Sequence, residues 1–142
     1  MGKVTSHVKL IDGIQMVGES GSGHVVVMDG SPDAGGRNMG IRPMELLLIG
    51  LGGCANIDVL TILRKGRHAV THCEVKLQGV RAETDPKVFQ EIQMHFIVTG
   101  KDIPSKAVER AIQLSEEKYC SAAAMLGKTA TIHTSFDIVE SL

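Results

Sequence analysis

Only three of the 142 residues are cysteine, and two of these sit where a thiol could do chemistry. Cys54 lies in RPMELLLIGLGGCANIDVLTIL and Cys120 in AVERAIQLSEEKYCSAAAML, both apolar, helix-forming stretches. Small residues adjoin each thiol: Gly52 and Gly53 precede the first, and Ser121, Ala122 and Ala123 follow the second. Two thiols that meet in a fold can cycle between dithiol and disulfide, so the pair points to redox chemistry. A thiol reacts as its thiolate, which needs a nearby cation or a helix N-terminus. No His, Lys or Arg stands within one turn before Cys54, so an activating charge has to come from elsewhere in the fold. The competing explanation is an inert core residue, since free cysteine packs as a small hydrophobe. A disulfide needs Cα atoms about 4.4–6.8 Å apart, and sequence spacing leaves that open. Cys73 falls in an alternating strand pattern and is expected to pack in the core.

Other chemistry has less support. Glu45 enters an otherwise apolar helix, where it either stabilises the helix dipole or holds an arginine over a thiolate. At about 100° and 1.5 Å per residue, Glu45 and Cys54 lie on opposite faces of one helix, roughly 13 Å apart along its axis. If both serve one site, the second copy comes from a neighbouring subunit, and a two-fold dimer follows. Arg37 and Arg42 flank the helix entry and are the only arginines before Cys54. His7, His24, His68, His72, His95 and His133 are scattered without the close pairing of zinc hydrolases, so no metal is expected. Ser20-Gly21-Ser22-Gly23 lacks the Lys-Ser/Thr ending of a phosphate loop and reads as a turn.

The elements that must position these residues follow from periodicity. Apolar positions on either side of Asp12-Gly13 predict a first hairpin, and His24–Met28 a third strand. The Gly-rich segment 29–40 predicts a mobile loop. Pro43 and Glu45 open a helix that Gly66 can end, and it is apolar nearly all round, so it should be enclosed by other elements. Gly50, Gly52 and Gly53 each cost that helix about 1 kcal/mol relative to alanine. Close packing or access to Cys54 would explain them. Strands are predicted around 72–78 and 92–98, a helix from Pro104 towards Cys120 with Gly127 ending the helical region, and a last strand around 131–138. The class is α+β, in the order β-β-β-α-β-β-α-β, as a single domain over 1–142.

With 43% apolar residues the chain can bury a core without staples. A formal net charge of −1 with no basic stripe argues against nucleic acid as partner. Asp58 and Asn56 interrupt the one long apolar run, which argues against a membrane span. An odd cysteine count at long spacings and the absence of a leader-like N-terminus favour a reducing cytoplasm.

Pro43-Met44-Glu45-Leu46-Leu47-Leu48, then Gly52-Gly53-Cys54, then Glu117-Lys118-Tyr119-Cys120 resemble the OsmC/Ohr family of osmotically inducible and organic-hydroperoxide-resistance proteins, across nearly the whole chain and closest to its less characterised OsmC-like branch. The resemblance implies an intertwined homodimer with sites at the interface, and thiol-dependent reduction of organic hydroperoxides in a stress response. Cys54 would be the peroxidatic thiolate, Cys120 the resolving thiol, and Glu45 the residue orienting an activating arginine. An external dithiol would reset the enzyme, with no cofactor. Two departures stand out. The family's arginine lies in the N-terminal strands, whereas Met1 to Asp33 contains none, leaving Arg37 and Arg42 as substitutes by position. Ser121 stands where proline usually follows the second cysteine. The alternatives are a non-catalytic ligand-binding or redox-sensing domain of the same fold, and a thioesterase-like enzyme built on one long helix.

Overall fold

The computed structural model describes residues 2–142. They form two compact units, one reaching Leu47 and the other running from Leu48 to Leu142.

In the first unit, β1 (Ser6–Asp12), β2 (Gln15–Ser20) and β3 (Val25–Met28) make an antiparallel meander. Gly13 turns the first hairpin at φ +60°, a conformation that costs glycine nothing. The segment after β3 differs from expectation: it is an ordered structure built on a buried carboxylate. Asp29 accepts the backbone N–H groups of Gly30, Arg37 and Met39 at 2.8, 3.1 and 3.1 Å. A 3₁₀ turn spans Pro32–Ala34, and Ile41 bridges back to Met28 in parallel. Burial pushes the Asp29 carboxyl up, but the three backbone donors outweigh it and hold the group below its ordinary value. Glycine content suggested mobility; an internal anion with three donors imposes order instead.

Helix α1 (Pro43–Lys65) starts with proline at a position whose N–H is not needed. It ends where His68 N–H reaches Leu63 C=O and Arg67 N–H reaches Arg64 C=O, with Arg67 at φ +62°. This is a Schellman stop carried by arginine, not by Gly66.

In the second unit, β4 (Ala69–Arg81) pairs antiparallel with β5 (Phe89–Lys101), which pairs in parallel with β6 (Thr131–Glu140). The crossover from β5 to β6 holds α2 (Ser105–Leu114), a π turn (Ser115–Tyr119) and α3 (Ser121–Leu126). The single helix predicted towards Cys120 is thus broken at Cys120 itself, whose ψ of 102° is extended. The core combines Ile92, Met94, Phe96 and Val98 of β5 with Val108, Ala111 and Ile112 of α2 and the stripe Leu51, Ala55, Val59 and Leu63 of α1. Gly52 lets α1 sit close on β4, because a Cβ there would lie 2.7 Å from a Leu77 methyl. Gly50 and Gly53 face open space.

The expectation that α1 is enclosed all round holds for one stripe only. Leu47, Ile49 and Ile57 on its other faces are exposed. The helix is long and apolar enough to cross a bilayer, yet it packs on a sheet along one side.

Candidate functional site

Cys54 and Asp58 stand four residues apart on α1, on one face. Cys120 reaches them from the crossover. The π turn supplies the reach: Cys120 N–H donates to Ser115 C=O at 2.7 Å, an i to i+5 closure, and the chain then leaves helical geometry for one residue. π turns of this kind are frequent at functional sites. Cys120 also caps α3, its Sγ accepting the Ala123 N–H at 3.4 Å.

Both thiols are free, Cys54 half-buried and Cys120 buried. Their sulfurs and a carboxylate oxygen of Asp58 all lie within 4.8 Å of one another. Ser115, 2% exposed, donates its hydroxyl to Asp58 Oδ2 at 3.0 Å. Burial, then the Cys54 side chain, then the negative charge of Asp58 push the Cys120 thiol up to about 11. At neutral pH Cys120 is therefore a protonated thiol. The cavity next to it, lined by Ala55, Phe96, Ile112 and Ala123 among others, measures about 10 Å³. That is scarcely room for one water, so a substrate cannot reach the thiols from that side.

Cys73 plays a different part. Its thiol donates to Asn56 Oδ1 at 3.0 Å while Asn56 Nδ2 donates to its C=O at 2.9 Å, a two-way clasp between α1 and β4. Burial raises its pKa too.

In the first unit, the Glu45 carboxylate accepts the backbone N–H of Arg42 at 2.8 Å, the reciprocal half of a capping box. It does not bond the guanidinium, which donates to Asn38 Oδ1 at 2.9 Å and Gly40 C=O at 3.3 Å. Arg37 pairs with Asp12 at 3.1 Å and Gln15 at 3.5 Å. Among the described residues no lysine, arginine or histidine hydrogen-bonds either thiol of the pair or Asp58.

A family model described as OsmC-like protein matches residues 35–135, the stretch that carries α1, both thiols and the crossover. The chain belongs to the OsmC-like family. Protein YhfA of Escherichia coli (strain K12) is 47% identical over 134 residues, covering 94% of this chain and 97% of YhfA. A solved structure of a hypothetical protein from Aquifex aeolicus VF5 is 30% identical, with TM-score 0.87 and 100% of both chains covered. A Legionella pneumophila structure called an organic hydroperoxide resistance protein OsmC shares the fold at TM-score 0.75 and 13% identity, over 96% of this chain and 98% of that one.

In this OsmC-like chain the sequence reading missed Asp58 and Ser115 as neighbours of the thiols. Asp58 carried a usable signal, a carboxylate one turn after a cysteine on an apolar helix. Ser115 carried none, because its role depends on the π turn. Also missed was a cluster on the exposed sheet face, where His95 bonds Ser135 at 2.7 Å and Asp137 at 2.9 Å across β5 and β6, and His133 bonds Glu91 at 2.8 Å. The Ser-His-Asp order invites comparison with a hydrolase triad, but the Asp137 side chain is 72% exposed, whereas that chemistry uses a buried acid.

Proposed function

We propose that this protein is a cytoplasmic, stress-response thiol peroxidase that reduces organic hydroperoxides as a homodimer. The observation that carries the reading is the meeting of Cys54 and Cys120 sulfurs within 4.8 Å, from elements far apart in the chain. In the first step the Cys54 thiolate attacks the distal peroxide oxygen, the O–O bond breaks, and one proton leaves with the alcohol, giving Cys54 sulfenic acid. In the second, Cys120 sulfur attacks that sulfenic sulfur and its thiol proton leaves with hydroxide as water. The sulfurs close to a disulfide length of about 2.05 Å. An external dithiol then returns both to thiols. The raised pKa of Cys120 fits the second role, since a protonated thiol is a poor first attacker but brings the proton that the departing hydroxide needs.

Glu45, with Arg42 or Arg37, would complete the site from a second subunit, because helix geometry keeps Glu45 and Cys54 of one chain apart. The exposed Leu47, Ile49 and Ile57 on α1 support a partner there, since exposed apolar faces mark association surfaces. The family model runs across the boundary between the two compact units, which supports one OsmC-like domain over residues 1–142. The name of the Legionella structure supports hydroperoxide as substrate through shared fold.

The test is consumption of an organic hydroperoxide by the reduced protein in metal-free buffer with excess dithiol. Consumption is expected, to be lost in Cys54→Ser, while Cys120→Ser assayed without dithiol should consume one equivalent and stop at the sulfenic acid, with no disulfide formed. Mass spectrometry should find a Cys54–Cys120 bond after mild oxidation. No consumption by the unaltered protein would reject the enzyme. It would favour the second reading, a redox-sensing or ligand-binding domain, for which the lack of a lysine, arginine or histidine bonded to the thiols among the described residues speaks.

A further inference from the structure

We propose that Cys54, Cys120 and Asp58 form a three-ligand site for a soft divalent cation of the zinc class. The inference rests on the donor set and its setting, and stands whether or not the peroxidase reading does. Two sulfurs and a carboxylate oxygen from three positions converge within 4.8 Å. In a tetrahedral zinc site, with Zn–S about 2.3 Å and Zn–O about 2.0–2.2 Å, ligand atoms are roughly 3.5–3.8 Å apart. The three groups therefore need to draw in by at most about 1 Å, within the range of side-chain rotation.

The setting is that of a ligand site as well. The Ser115 hydroxyl holds Asp58 Oδ2 at 3.0 Å from a buried position, the kind of outer hydrogen bond that fixes metal-binding carboxylates. No salt bridge among the described residues involves Asp58, so no cationic side chain competes for its charge. The sulfur content selects the metal: thiolates favour zinc-like ions over magnesium or calcium, which take oxygen donors. Three protein ligands leave one tetrahedral position open, which a water or another small ligand would fill. Histidine spacing predicts no zinc site here, and the cysteines make one only after the crossover has brought Cys120 to α1.

Binding exchanges protons for metal: Cys120, and Cys54 where it is protonated, lose a proton to solvent, two Zn–S bonds and one Zn–O bond form, and no electrons move. Loading and disulfide formation then exclude each other, because a disulfide has no thiolate to offer.

The test uses the reduced, chelator-stripped full chain, without peroxide. Zn2+ is titrated against a chromophoric chelator, and Co2+ is followed through its thiolate-to-metal band in the near ultraviolet. Expected are one ion per chain, release of at least the Cys120 proton per ion, a thiolate band with Co2+, and no uptake by the disulfide form. Cys54→Ser and Cys120→Ser should each weaken Zn2+ at least 100-fold, Asp58→Asn at least tenfold, and Ser115→Ala about tenfold. Cys73→Ser should bind as the unaltered protein does. Binding that survives both cysteine substitutions, or a Co2+ spectrum without a thiolate band, would overturn the site. The proton count and the disulfide control decide the matter even where a variant fails to fold. Since no peroxide is consumed in the assay, its result is separable from that of the peroxidase test.

Discussion

Cys120 is a thiol whose protonation is set by its neighbours, and Asp58 is the neighbour that can be changed with least disturbance of shape. Asp58→Asn removes a negative charge and keeps the Ser115 hydrogen bond available, so the Cys120 pKa should drop below its value of about 11. Thiolate absorbance near 240 nm in a Cys73→Ser background reports the shift. Folding also raises this pKa from 9.0. Between those values the folded state binds more protons than the unfolded one, so stability is complete below about pH 9 and falls as pH rises towards 11. Cys120→Ser should flatten that alkaline decline in denaturant melts. An unchanged slope would show that the thiol is not held neutral by the fold. That Cys120 is held protonated was not legible in the spacing of the residues; it follows from burial and from a carboxylate that only three-dimensional packing sets beside the pair.

At the scale of elements, α1 ends on a residue in the left-handed region. Arg67 at φ +62° costs roughly 1 kcal/mol that glycine avoids, so Arg67→Gly should stabilise the protein by about that much, a rise of a few degrees in Tm. The loop on Asp29 gives an opposite expectation. Its carboxyl is held below the ordinary value, so its contribution is present above the unfolded pKa of about 3.9 and is lost as pH falls through the lower folded pKa. Asp29→Ala should free the 29–40 segment, seen as faster amide exchange there at neutral pH. Strands and helix α1 were legible because alternation and helical periodicity follow directly from which faces are buried, and Pro43 and the turn at Gly13 mark their ends. Three features were not. The order of the 29–40 segment depends on one aspartate finding three backbone donors, Arg67 adopts a conformation that composition assigns to Gly66, and the π turn before Cys120 leaves no periodic trace in so short a stretch.

For the molecule as a whole, class and element order were readable from the sequence, whereas the parallel pairing of β5 with β6 was not, since strand direction depends on the path of the crossover. The exposed face of α1 is where the dimer is tested. Ile57 is 66% exposed in the single chain, so Ile57→Lys should leave the melting of an isolated protomer nearly unchanged while shifting a dimer towards monomer in sedimentation. Equal mass for both proteins would count against a partner on that face. The parallel crossover also orders events in time. Cys54 leaves the ribosome well before Cys120, and Cys120 is fixed only once the segment between Lys101 and Thr131 has closed on itself. Non-local pairing of that kind is paid for in loop-closure entropy before any contact repays it, which makes it slow. A newly made chain therefore passes through an interval with Cys54 unaccompanied, vulnerable to stray mixed disulfides, and chains truncated before β6 should accumulate as such adducts.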